Sequence, residues 1–114
     1  MAAPRCNPIA EIDRRDFAPQ AAFLKALADP YRLTIVATLA GSPHPVCVCD
    51  FTDGLGLRQS SVSHHLAILR DAGIVRSERR GTWAYYALVP GLRERVVAMF
   101  REIEPPRKRL AGAS

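Results

Sequence analysis

Cys47 and Cys49 stand one residue apart in the run Val46-Cys47-Val48-Cys49-Asp50, and the chain's remaining cysteine, Cys6, lies far ahead of them. A thiolate is a strong nucleophile and a soft-metal ligand, so a close pair of thiols points to metal binding or to redox chemistry. The plain alternative is a pair of small apolar side chains buried for packing. Compartment helps to weigh these readings. No apolar run approaches membrane length and no signal-peptide core stands near the start, so the expected location is cytoplasmic, with no membrane partner. In that reducing setting a structural disulfide is disfavoured, and metal or redox chemistry gains.

A second set of functional side chains follows the thiols. Val62, Leu66 and Leu69 recur at i, i+4 and i+7, with Ala72 closing the series and Gly73 ending it, which predicts a helix with one face in a core. Off that face stand Gln59, Ser60, Ser61, Ser63, His64 and Arg70, with no acidic residue before Asp71. Short hydrogen-bonding groups on the leading turns of a helix suit the reading of base edges in a major groove, because they let the backbone approach. A helix start that is merely capped and solvated has the same composition. What comes next favours groove reading. Ile74-Val75-Arg76 and Trp83-Ala84-Tyr85-Tyr86-Ala87-Leu88 are β-rich runs on either side of Ser77-Glu78-Arg79-Arg80-Gly81-Thr82, which predicts a hairpin with a basic tip. Arg76, Arg79 and Arg80 on such a wing would lie along a phosphate backbone if the helix occupied the groove. The expected fold is mainly α with a small β-hairpin, a winged helix-turn-helix, and the expected partner is double-stranded DNA.

The elements that must hold these groups follow from patterning. A chain of 114 residues and 12.5 kDa allows one domain. Its hydrophobic fraction of 48% can build a core, although so small a domain gains from dimerising. Residues 1–15, with little periodicity, read as a flexible arm; residues 16–104 read as the DNA-binding and dimerisation domain; residues 105–114, after Pro105-Pro106, read as a disordered tail. Inside the domain a first helix from Asp16 would line one face with Phe17, Ala21, Leu24, Leu27 and Ala28, until Asp29-Pro30 breaks it. A second from Tyr31 to Gly41 would turn Leu33, Val36, Ala37 and Ala40 inward, and a last helix opening at Pro90 would carry Leu92, Val96, Met99, Phe100 and Ile103 on one side, an apolar surface left for a partner to cover. The cysteine pair falls on a short helix between them. On an intact helix Cys47 and Cys49 would point about 200° apart, so sharing one ion would require the turn of residues 46–50 to unwind.

Net charge is +5 and the isoelectric point about 9.6, which favours a polyanionic partner, although Arg107-Lys108-Arg109 supplies part of the excess and could serve solubility. No CxxC in a βαβ context, nucleotide loop or Ser/His/Asp constellation outside the recognition helix is present, so an enzyme is not expected.

These features resemble the arsenic-repressor (ArsR/SmtB) family of bacterial metal-sensing transcription repressors. The likeness lies in Cys47-Val48-Cys49-Asp50, in the pattern SxxSxHLxxLRxAGxV beginning at Ser60, and in ALADPxRLxI beginning at Ala26, and it covers roughly residues 16–103. It implies a homodimer, its first and last helices paired with their mates, that binds operator DNA and is released by a metal ion. Family members often carry Ser where Arg58 stands, as the cap of the recognition helix; here either Ser60 caps one turn later or Arg58 contacts phosphate. Members with this thiol motif often carry a third Cys where this chain has Thr52. By likeness to relatives that use N-terminal cysteines, the expected site is Cys6, Cys47 and Cys49, with Cys6 arriving from its own or the partner subunit. Three soft sulfurs suit trivalent arsenic or antimony, with arsenite as inducer. His44 nearby would instead complete a tetrahedral Cys3His set for zinc or cadmium, and lead is a further alternative ion. A thiol redox-sensing repressor would use the same cysteines. The family's other site, on the last helix, needs histidines beside carboxylates; that helix offers Glu94, Glu102 and Glu104 but no His, so none is expected there. His65, beside the apolar stripe, is expected to be packed with a satisfied nitrogen.

Overall fold

Five helices and one three-stranded antiparallel sheet lie within residues 10–105, the part of the chain that this computed structural model describes. Cys6 and the Arg107-Lys108-Arg109 run lie outside the described residues. In chain order the elements are α1 (Ala18–Leu27), α2 (Pro30–Gly41), β1 (Val46–Cys47), α3 (Val48–Leu55), α4 (Gln59–Asp71), β2 (Val75–Arg80), β3 (Trp83–Leu88) and α5 (Leu92–Ile103).

Local chemistry sets the boundaries. Asp29 is the N-cap of α2, its carboxylate accepting the N–H groups of Tyr31 and Arg32 at 2.9 and 3.1 Å. Pro30 takes the first helical position, where no N–H is needed. Gly56 closes α3 in the left-handed region at φ 66°, a conformation that favours glycine, and Leu57 and Arg58 lead into α4.

Val62, Leu66 and Leu69 of α4 are fully buried at 0% exposure, against Ile35 and Leu39 of α2, Phe51 of α3, Ile74 and Tyr86. Each such aliphatic side chain contributes about 1.5–3 kcal/mol by leaving water, so this stripe seats α4 in the domain.

Three expectations change. The inward face of α2 is rotated: Ile35 and Leu39 are buried, while Leu33, Ala37 and Ala40 are exposed; α1 buries Phe23 and Ala26 and leaves Ala21 and Ala28 exposed. Alanines scattered around these helices allow more than one stripe to be drawn, and the larger area of Phe23 and Ile35 decides between them. The second wing strand has the expected bounds, but the first is longer, pairing as far as Arg80 with Trp83, which leaves Gly81-Thr82 as a two-residue turn. The sheet also gains a third strand: β3 is central, with β1 on its other side in the register Val46–Tyr86 and Cys47–Tyr85.

Pro90 stands just outside α5, whose N-cap is Gly91 at φ 84°. That helix turns Met99 inward, with Leu92 and Val96 half-buried, while Val97 and Phe100 are 44% and 51% exposed. Among the described residues no helix is long and apolar enough to cross a membrane.

Candidate nucleic-acid interface and thiol pair

Cys47 ends β1 and is the N-cap of α3, with a strand-like backbone at φ −68° and ψ 143°. It therefore stands outside the helix, and the opposed directions expected of two helical cysteines never arise. Its Sγ accepts the Cys49 N–H at 3.3 Å. The two sulfurs meet: the structure joins Cys47 and Cys49 as a disulfide across one residue, with Cα atoms 5.2 Å apart. A strand-to-helix junction thus converges both sulfurs while α3 stays wound, which corrects the expectation that residues 46–50 must unwind first. Cys47 is buried at 5% exposure and Cys49 is half-buried. His44 is exposed in the bend before β1. Among the described residues no three His, Cys, Asp or Glu side chains gather as a metal site. Cys6, the third expected sulfur, lies outside the described residues.

Helices α3 and α4 and the short turn through Gly56 form the helix-turn-helix. Gln59, Ser60, Ser63 and His64 are exposed on the leading turns of α4, whereas Ser61 is half-buried. At about 100° per residue, Ser60 and His64 stand opposite the buried stripe, with Ser63 beside them. Arg58 occupies the N-cap position without a side-chain cap bond, and Ser60 lies inside the helix. A cap by Ser60 is therefore ruled out by where the helix begins, and the exposed Arg58 guanidinium stands at its start. His65 is half-buried, its Nδ1 accepting from Arg32 Nη1 at 3.1 Å.

The three wing arginines are exposed but do not share one face. Side chains alternate along a strand, so Arg76 and Arg80 of β2 lie on the side of Glu78, and Arg79 lies on the other. Arg80 donates to Glu78 Oε1 at 2.6 Å and its guanidinium sits 4.8 Å from the Tyr85 ring centre. Arg79 Nη1 reaches only the Thr82 carbonyl, at 3.4 Å. Trp83, read from the sequence only as part of a β-rich run, flanks the wing turn at 51% exposure.

Residues 29–77 match the family described as bacterial regulatory proteins of the arsR family. An uncharacterized HTH-type transcriptional regulator from Methanocaldococcus jannaschii is 39% identical over 83 residues, 73% of this chain and 92% of that protein. An arsenical resistance operon repressor from Bacillus subtilis is 47% identical over 64 residues, 56% of this chain and 60% of that protein. Among solved structures, the homodimeric winged helix-turn-helix DNA-binding domain of a possible ArsR-family regulator from Mycobacterium bovis superposes with a TM-score of 0.61 at 26% identity, covering 81% of this chain and 88% of that one.

Proposed function

The chain belongs to the ArsR family of bacterial regulatory proteins, and from that premise we propose a homodimeric repressor that releases operator DNA when Cys47 and Cys49 bind trivalent arsenic or antimony. The observation that carries this reading is the meeting of two sulfurs at the junction of β1 and α3. Once reduced to thiolates, the two neighbouring sulfurs are the donor type a soft ion selects, and moving from the bonded arrangement to one that holds an ion between them reshapes the junction. Cys6 is the proposed third thiolate. The Bacillus subtilis relative is named as an arsenical resistance operon repressor, which supports arsenic over cadmium, lead or zinc.

Gln59, Ser60, Ser61, Ser63 and His64 are the proposed base-reading and nearby contacts, with Arg58, Arg76, Arg79 and Arg80 on phosphate. Dimerisation through α1 and α5 is supported by the second apolar side of α5, where Val97 and Phe100 face away from the core. A two-fold pair of α4 helices would then read half-sites one turn of the duplex apart.

Release follows from shared backbone. Cys47 pairs with Tyr85 of β3, and α3 leads through Gly56 to α4, so an ion that reshapes this junction acts on both the wing and the recognition helix. Linkage requires the ion to bind the free dimer more tightly than the DNA-bound one, by about 1–3 kcal/mol for a typical allosteric pair.

The test is a gel-shift titration with arsenite, using a duplex that the protein itself selects from a random-sequence pool. Cys47→Ser and Cys49→Ser should bind that duplex as the parent does and fail to release it. Release of either variant at the parent's arsenite concentration would place the ion elsewhere. Cadmium, lead and zinc run in parallel decide the inducer.

A second reading, a thiol redox-sensing repressor, draws on the same meeting of sulfurs. There, peroxide takes both thiol hydrogens, the disulfide forms and water leaves. It predicts release by peroxide with a mass lower by two hydrogens and no ion bound.

A further inference from the structure

Arg32 belongs to α2, yet its guanidinium ties three helices together. Nε donates to the Ala26 carbonyl at 2.7 Å and Nη2 to the Lys25 carbonyl at 3.3 Å, both in the last turn of α1, where a cation also meets the negative end of the helix dipole. Nη1 is the atom that reaches His65 in α4, at 3.1 Å. A guanidinium has donors and no acceptor, so Nδ1 of His65 must supply the lone pair. That fixes the ring as the neutral tautomer with its proton on Nε2.

His65 follows Val62 by three positions and precedes Leu69 by four, so this hydrogen bond runs along the edge of the stripe that seats α4. Apolar packing is non-directional and sets how deep a helix sits. A directional bond at the margin sets its rotation about its own axis. The same helix carries Ser60 and His64 on its outer face, so a change in rotation moves them relative to any groove.

We infer that Arg32 and neutral His65 form a pin that orients the recognition helix, and that DNA affinity falls when His65 takes a second proton. This rests on the reading of α4 as the DNA-contacting helix. An imidazolium has no lone pair for Arg32, and the two cations then repel. Other groups face the ring as well. Tyr31 of α2 stacks at 5.7 Å between ring centres and His64 of α4 lies at 6.2 Å. Asp29, 3.9 Å from Arg32, attracts a charged His65 and so opposes the repulsion. Its carboxylate, however, is held at the α2 N-terminus by the Tyr31 and Arg32 N–H groups, whereas the guanidinium touches the ring directly.

The experiment measures anisotropy of the duplex selected from a random-sequence pool, with parent and His65→Gln, from about pH 8 down to about pH 5, the range in which a histidine charges. Gln accepts from Arg32 through its carbonyl oxygen and does not titrate. His64 is present in both proteins, so the comparison isolates the change at residue 65. The expected ratio is near unity at the alkaline end, with the parent becoming about tenfold weaker than His65→Gln at the acid end, the scale of one lost charge-assisted hydrogen bond. His65→Leu, which cannot accept, should bind about tenfold more weakly than His65→Gln at every pH. Parallel profiles for parent and His65→Gln, or a His65→Leu protein that binds like His65→Gln, overturn the pin. A parent that selects no duplex overturns the functional reading itself.

Discussion

Cys47 lies directly across the sheet from Tyr85, and Trp83 stands two residues further along the same strand toward the wing turn. If ligand binding at the thiol pair acts on the wing, this backbone ladder is the direct route between them. Trp83 is the chain's one tryptophan and is half exposed, so it reports on that path alone. Arsenite should change its emission, and Cys47→Ser should abolish the change. A spectrum that stays fixed at saturating arsenite, while the ion is bound, would rule out the wing as an output.

The parts legible in the sequence are those with a long period. Val62, Leu66 and Leu69 repeat cleanly enough to give α4 and its buried face, and the β-rich run from Trp83 to Leu88 gives β3. A strand of two residues has no period, which is why β1 and the true setting of Cys47 were read as helix. The Arg32 to His65 bond joins positions 33 apart in the chain, and no local pattern reports such a contact. The disputed cap at Arg58 was likewise beyond composition, since it depends on where the first helical turn begins.

Asp29 gives a pH dependence of stability. Burial pushes its carboxyl up, but the N–H groups of Arg32 and Tyr31 and the Arg32 charge outweigh that and hold it below the usual 3.8. A lowered folded-state pKa contributes stability that is present above the unfolded value and is lost as pH falls through the folded one. Asp29→Asn still caps but carries no charge, so it should melt a few degrees below the parent near neutrality. The gap should close as acid protonates the parent, from pH 3.8 downward. Thermal unfolding followed by circular dichroism across pH checks this; a gap that persists at the acid limit would mean the carboxylate's charge is irrelevant.

Gly73 adopts φ 73°, and a Cβ there would meet Arg95 Nη1 at 3.1 Å. That same nitrogen donates to the Gly73 carbonyl, at 3.1 Å, tying the end of α4 to α5. Gly73→Ala should cost about 1–2 kcal/mol from the left-handed backbone alone. Urea unfolding should find the loss, and Arg95→Ala in the same background should not recover it, since that change also removes the bond to the Gly73 carbonyl and the contact with Phe23. A neutral Gly73→Ala would mean that this turn readily adopts another conformation.

If α5 carries a dimer contact, its second apolar side is where a charge does most harm. Phe100 is 51% exposed and makes no part of the buried core. Phe100→Glu should leave the monomer folded and shift sedimentation from dimer to monomer at micromolar concentration, because a desolvated carboxylate in an apolar contact costs several kcal/mol. A Phe100→Glu protein that still sediments as a dimer would move the interface off this face.

The wing arginines should differ in their response to salt. Arg80 is already neutralised in part by Glu78 and held over Tyr85, while Arg79 lies on the opposite side of β2, where it pairs with no carboxylate among the described residues. A full phosphate contact releases counterions and contributes about 0.9 to the slope of log affinity against log salt. Arg79→Ala should therefore lower that slope by about one if it touches phosphate. Glu78→Gln should act in the other direction if this face of the wing approaches DNA, raising affinity at low salt by releasing Arg80 from its internal partner and removing a negative charge. A Glu78→Gln protein that binds no better than the parent would mean that this face of the wing is turned away from DNA, and that Arg79 alone approaches the backbone.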